Sequence, residues 1–188
     1  MNTLADVEEA VDAVDRSKGL AGCERFPITV ERILVPTDLS AGSDQAIEYA
    51  LVLAQRFGAH LTLLHVYKEP YAVEYLRGPH AADAVAKERL YFKQRLESLA
   101  KELKKVYADC DFEFRDGQPC EEIVKVAKEQ DADLIVISTH RYDWLTRLAY
   151  GCHAEEILRH APCPLLILQV NSSNRDKQVT RWSVFCGL

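Results

Sequence analysis

The sequence predicts an α/β fold, an open doubly wound parallel sheet with helices on both faces. Short continuous runs of Val, Ile and Leu alternate with stretches of helical periodicity, five times within residues 31–170. Continuous apolar runs are typical of strands that are buried on both faces, as in a parallel sheet covered by helices. Five such units joined by right-handed crossovers make one Rossmann-like domain with five strands.

The first half of this domain supplies three strands and two helices. Pro36 ends the first apolar run, and Gly58 stands where a helix C-terminus belongs. The third strand is weaker and more polar than the first two. In order, the elements are a strand at 33–35, a helix at 44–57, a strand at 61–66, a long amphipathic helix at 83–107 and a strand at 110–115.

The second half repeats this order. Pro119 stands near the first position of a helix, where its missing N–H costs nothing. The elements are a helix that carries Ile123, Val124 and Ala127, a strand at 134–137, a helix at 154–161 and a fifth strand at 165–168.

Three segments are expected: an acidic N-terminal extension at 1–30, the α/β domain at 31–170 and a C-terminal tail at 171–188. Two alternatives stay open for the extension: a short, partly disordered helix, or a helix that docks on the domain or on a partner. Trp182 and Phe185 in the tail favour docking over a free tail, because large aromatic side chains usually pack against something.

Composition excludes several classes of protein. The chain of 188 residues has 29 Asp and Glu against 23 Lys and Arg, a net charge of −6. A negative chain lacks the charge that nucleic-acid binding requires, and membrane surfaces are disfavoured for the same reason. The N-terminus has neither a basic segment nor an apolar segment of the secretory type, so a cytoplasmic protein is expected.

The cysteines give no sign of a metal or redox motif. They are scattered, with no CxxC pair, so reduced thiols and no disulfide are expected in a cytoplasmic chain. The six are Cys23, Cys110, Cys120, Cys152, Cys163 and Cys186.

A ligand site is expected beyond the carboxyl ends of the first and fourth strands, where the strand order of such a sheet reverses. The first strand runs into Pro36, Thr37 and Asp38, and the fourth runs into Ser138 and Thr139. The residues 151–153 begin the next helix, and a helix N-terminus attracts anions.

Several stretches resemble the universal stress protein family, in the same order over about 140 residues. The opening strand and the closing third carry most of this resemblance. The matching stretches are 32–38 with Ser40, 64–66, 117–119 with Glu122 and Ile123, 138–141, 147–152 with Ala154 and Glu155, and 159–166. The resemblance and the five repeats together imply the strand order 3-2-1-4-5.

The resemblance also implies a non-enzymatic stress-response or signalling protein that forms a homodimer through its last strand, residues 165–170. An exposed apolar edge strand is an aggregation hazard, and pairing across a two-fold axis removes it. Docking of the tail at 179–185 is the alternative cover for this edge.

The nucleotide loop departs from the family pattern. ATP-binding members carry Gly-x2-Gly-x9-Gly-Ser/Thr, and the matching residues here are Ser138, Arg141, Gly151 and Cys152. Glycine lets backbone N–H groups approach phosphate oxygens, so ATP binding is not favoured. Arg141 either fills the phosphate site, or it turns outward or pairs with phosphate through its guanidinium.

The resemblance places the candidate binding residues around this loop, and it implies no catalytic residue. They are Pro36, Thr37, Asp38, Val66, Ser138, Thr139, Arg141, Gly151, Cys152 and His153.

Two of these residues have a second explanation. Asp38 is also explained as a helix-entry cap, and Cys152 as a redox-sensitive thiol. No metal is expected, because the spacing of His140, Cys152 and His153 matches no metal motif.

Two alternative functions remain. One is an ATP-binding universal stress protein that acts as a nucleotide-dependent switch. The other is an ATP-using enzyme of related fold, since residues 40–44 resemble a pyrophosphatase loop, although they lack its second glycine and final serine.

Overall fold

The computed structural model describes residues 29–40, 43–69, 79–140, 154–170 and 179–185. They form one sheet with helices packed against it. The strands are β1 (Arg32–Pro36), β2 (His60–Tyr67), β3 (Cys110–Asp116), β4 (Leu134–His140), β5 (Leu165–Val170) and β6 (Val179–Phe185). The helices are α1 (Ser43–Phe57), α2 (Pro79–Val106), α3 (Pro119–Glu129) and α4 (Ala154–His160).

The sheet has the strand order β3-β2-β1-β4-β5-β6, and its first five strands are parallel. The predicted order 3-2-1-4-5 is therefore confirmed. β1 lies at the centre, where Ile33 is opposite Leu61 of β2 and Leu134 of β4. The neighbouring β1 and β4 are the two strands whose carboxyl ends were expected to hold a ligand.

Each face of the sheet carries its own hydrophobic core. Ile33 and Val35 of β1 face a core that includes residues of α1 and α2, whereas Leu34 faces a core built with α3 and α4. All three side chains are 1% exposed or less. Burial on both faces explains why the strand reads as a continuous apolar run rather than an alternating one.

The start of β1 is fixed by a residue far along the chain. Asp133, which directly precedes β4, accepts hydrogen bonds at Oδ2 from the backbone N–H groups of Glu31 at 2.9 Å and Arg32 at 3.0 Å. The Nε of Arg32 donates to the carbonyl of Asp131 at 3.0 Å. These bonds set β1 and β4 side by side.

A sixth strand extends the expected sheet. β6 runs antiparallel to β5, from the pair Leu165–Phe185 to the pair Val170–Val179. The sequence predicts β5 at the edge of the sheet and names the tail at 179–185 as one of two covers for it; the structure contains this cover, so β6 and not β5 is the edge strand. A homodimer through residues 165–170 would require β6 to leave this edge.

The helices follow the predicted periodicity with one extension. α2 begins at Pro79, four residues before the expected start, since proline at the first helical position loses no hydrogen bond.

In the described part of the chain, no helix has the length and apolar character needed to cross a membrane. The expected N-terminal extension, residues 1–30, lies almost wholly outside the described residues.

Candidate functional site

Thr37 follows β1, and its polar groups are used inside the protein. Its backbone N–H donates to the carbonyl of Leu64 at 2.8 Å. The Ser43 hydroxyl gives its proton to the carbonyl of Ser40, so in the 2.8 Å contact between the Thr37 and Ser43 hydroxyls the threonine is the donor. Thr37 Oγ1 also accepts from the N–H of Leu39 at 3.0 Å. The hydroxyl therefore holds the turn between β1 and α1.

The turn after Thr37 is strained and exposes a carboxylate. Asp38 is exposed, and its Oδ1 accepts from the N–H of Ser40 at 3.0 Å. Leu39, which is buried, has a φ of 60°. A branched residue in this left-handed region costs about 1–3 kcal/mol, and such strain is concentrated at functional sites. Asp38 thus closes the local turn, as a capping residue does, while it faces solvent at the expected ligand position.

His65 lies beneath this turn and was not among the predicted site residues. Its Nδ1 is 2.8 Å from the carbonyl oxygen of Thr37. A carbonyl only accepts, so Nδ1 carries the proton of the neutral ring. The ring centroid is 5.2 Å from that of Phe92 and 5.6 Å from that of Phe114. His65 therefore links β2 and its aromatic neighbours to the first part of the candidate site.

Acid should destabilise the protein through His65. Burial lowers the pKa of His65 below 6.5, against the opposing effects of the Thr37 carbonyl and the Asp38 charge. The unfolded chain then binds the proton more readily than the folded one, so this contribution to stability is complete above about pH 6.5 and declines as the pH falls below it. Urea unfolding between pH 7.5 and 5 measures the loss. His65→Asn keeps a donor near the Thr37 carbonyl without titrating, and its stability should fall less over the same range. Equal losses in the two proteins would contradict the assignment.

The structure brings together the described members of the predicted site at the carboxyl edge. Pro36 is paired with Leu64, and Ser138 is half-buried opposite Leu168 of β5. Val66 is half-buried near the end of β2. Its side chain packs against the core formed with α3 and α4.

The other predicted members are described only in part or not at all. The backbone of Thr139 lies in β4, one residue beyond Ser138. Four predicted residues lie outside the described part of the chain, and their roles stay predictions: Arg141, Gly151, Cys152 and His153.

The cysteines differ from the expectation at one position. Cys120, in the first turn of α3, is disulfide-bonded, so the prediction of reduced thiols throughout is wrong. Cys110 and Cys163 are free, and burial raises the pKa of each to about 11. Both are therefore neutral thiols at pH 7 and pack as small apolar side chains.

A surface groove lies at the amino ends of the strands, opposite the carboxyl edge that holds the candidate site. It is an open groove of about 430 Å³ beside the C-terminus of α3, and ionisable side chains such as Arg32, His60, Asp111 and Glu129 line it. These side chains have partners: His60 Nδ1 is 2.6 Å from Asp109 Oδ1, for example. Within the described ranges, no group of three or more His, Cys, Asp and Glu residues is arranged to hold a metal ion.

Known proteins with this fold share its sequence pattern. A universal stress protein of Thermus aquaticus is 32% identical over 137 residues, which cover 73% of this chain and 97% of that protein. The solved structure of protein MJ0577 of Methanocaldococcus jannaschii superposes with a TM-score of 0.65 at 25% identity, covering 77% of this chain and 99% of that one. A universal stress protein solved in complex with cAMP has a TM-score of 0.56 at 20% identity, over 74% of this chain and 97% of that one, and shares the fold.

The profile of the Universal stress protein family matches residues 29–169, three quarters of the chain. This range contains the five parallel strands except the last residue of β5, together with the strained turn after β1 and the end of β4. The chain belongs to the universal stress protein family.

Proposed function

We propose that this chain is a non-enzymatic stress-response protein of the signalling type, and that its loop after β4 does not bind ATP. The observation that carries the proposal is Ser138, which is half-buried near the carboxyl end of β4. ATP-binding members of the family have glycine at the matching position. A side chain there keeps phosphate oxygens away from backbone N–H groups, which glycine would expose.

The end of β1 supports this proposal. An adenine or ribose would meet Thr37 and Asp38 at this edge. The Thr37 hydroxyl donates to the Ser43 hydroxyl and accepts from the N–H of Leu39, so its bonds lie within the turn. The Thr37 carbonyl accepts from His65. Because these groups already have protein partners, a ligand would gain little from replacing them.

A nucleotide-dependent switch is the second candidate function. The strain at Leu39 and the exposed carboxylate of Asp38 favour it, since both lie where the strand order reverses. A universal stress protein of this fold was solved in complex with cAMP, which supports this candidate. In that case Asp38 would accept hydrogen bonds from the base or the ribose hydroxyls.

One experiment separates the two functions. The purified protein is denatured, any released small molecule is identified by mass spectrometry, and the native protein is titrated with MgATP at millimolar concentration in a calorimeter. We expect no released nucleotide and no heat of binding. Bound or titratable nucleotide would support the switch instead, and Asp38→Asn should then weaken binding. Glu97→Gln, in the second half of α2, is the matched control: it also removes one carboxylate, and it should leave the affinity for ATP unchanged.

A further inference from the structure

β5 would be an exposed apolar edge of the parallel sheet if β6 were absent. Its sequence is Leu-Leu-Ile-Leu-Gln-Val, and Leu165 and Leu168 are fully buried. β6 pairs with it from Leu165 to Val170, so nearly the whole edge is covered. An uncovered strand of this kind offers its unpaired backbone groups to another chain.

The connection to β6 favours pairing within one chain. Residues 171–178 separate the two strands, and all eight are polar or charged. A tethered segment has an effective concentration of about millimolar, which exceeds that of a second chain at micromolar concentration by about a thousandfold. If β6 and a second copy bind β5 with similar intrinsic affinity, the tail therefore occupies β5 in nearly all molecules.

We propose that β6 acts as a cap: by pairing with β5 it prevents a second copy of this chain from pairing there. Release of the cap converts the monomer into a dimer. In the dimer, β5 of one copy pairs antiparallel with β5 of the other across a two-fold axis. Such an interface is self-complementary, because each copy contributes the same strand. The C-terminal tail is thus an autoinhibitory segment for self-association.

Sedimentation equilibrium at micromolar concentration tests the cap. The full chain should sediment as one copy of 21.3 kDa, and the chain that ends at residue 170 should sediment at about twice its own mass. A monomeric truncated chain with native helix content by circular dichroism would overturn the proposal, as would a full chain that is already dimeric.

A variant of the full chain keeps the test valid if the truncated chain does not fold. The double substitution Ser183→Pro and Val184→Pro should release β6, because neighbouring N–H groups of a strand point to opposite sides and one of the two faces β5. It should dimerise, whereas the matched control with prolines at Ser172 and Ser173, between the strands, should stay monomeric. If both variants stay monomeric, the proposal fails.

Cross-linking shows which chain supplies the cap. Ile167 and Ser183 are opposite each other in the β5–β6 pair, so the double variant Ile167→Cys and Ser183→Cys places two thiols side by side. Mild oxidation by oxidised glutathione should form a disulfide within one chain, and a non-reducing gel should show the mass of one chain. A band at twice this mass, absent from the single variant Ile167→Cys, would show that β6 is exchanged between copies and would overturn the proposal.

Discussion

Replacement of Leu34 by alanine is expected to lower the free energy of unfolding by about 2–5 kcal/mol, the usual cost of emptying a fully buried leucine site. Leu34 is 0% exposed and lies in the central strand, opposite Thr62 of β2 and Ile135 of β4. Its neighbours belong to two strands and to the core beneath α3, so they cannot collapse into the cavity without moving the sheet. Urea denaturation at pH 7.5 measures the change.

Leu90→Ala is the matched control for this substitution. Leu90 lies on α2 and is 54% exposed. Alanine is the better helix former, so the free energy of unfolding should change by no more than about 0.5 kcal/mol. A similar loss in both variants would show that the two-sided core does not carry the stability assigned to it.

The second large effect concerns the loop after β4. Ser138→Gly, Arg141→Gly and Cys152→Ser together should create measurable affinity for ATP where the native chain has none. Each N–H group that reaches a charged phosphate oxygen contributes about 1.5–3 kcal/mol, and about 1.4 kcal/mol corresponds to a tenfold change in affinity. We therefore expect a gain of at least tenfold by calorimetry, provided that circular dichroism shows an unchanged fold.

A matched variant separates two causes of this gain. With alanine instead of glycine at positions 138 and 141, the guanidinium is removed but a Cβ remains at each position. If bare backbone is what phosphate needs, the alanine version should stay without affinity. Binding by the native chain, with little change in Arg141→Gly, would instead show that Arg141 turns outward and that the proposed loss of ATP binding is wrong.

The strands were predictable from sequence in proportion to their burial. β1, β2, β4 and β5 carry continuous apolar runs because helices cover both faces. β3 reads as weaker because it is an edge strand, and Asp111, Glu113 and Arg115 alternate along it with Phe112 and Phe114. The strand order followed from the repeats and the family resemblance, since crossovers of one hand restrict the topology.

The tail was expected to dock, with the edge of β5 as one of two alternatives, but the antiparallel register of β6 and the role of His65 were not predictable in the same way. Residues 179–185 become a strand only because β5 offers an unpaired edge, and that edge exists only in the folded sheet. His65 lies within an apolar run, where a buried histidine is usually a core residue. Its partner, the Thr37 carbonyl, becomes identifiable only once the register places Pro36 opposite Leu64.

The hydrogen bonds that Asp133 accepts from the N–H groups of Glu31 and Arg32 have a consequence for the growing polypeptide on the ribosome. The partners are about 100 residues apart, so at a synthesis rate of about 5–20 residues per second β1 waits about 5–20 s for β4 after its own translation. For most of that interval β2 is the only one of its two sheet neighbours that has been synthesised, so the other side of β1 has no neighbour in the sheet. The nascent chain therefore presents a strand that is buried in the finished domain before the domain can close, and this is the stage at which a chaperone would protect it.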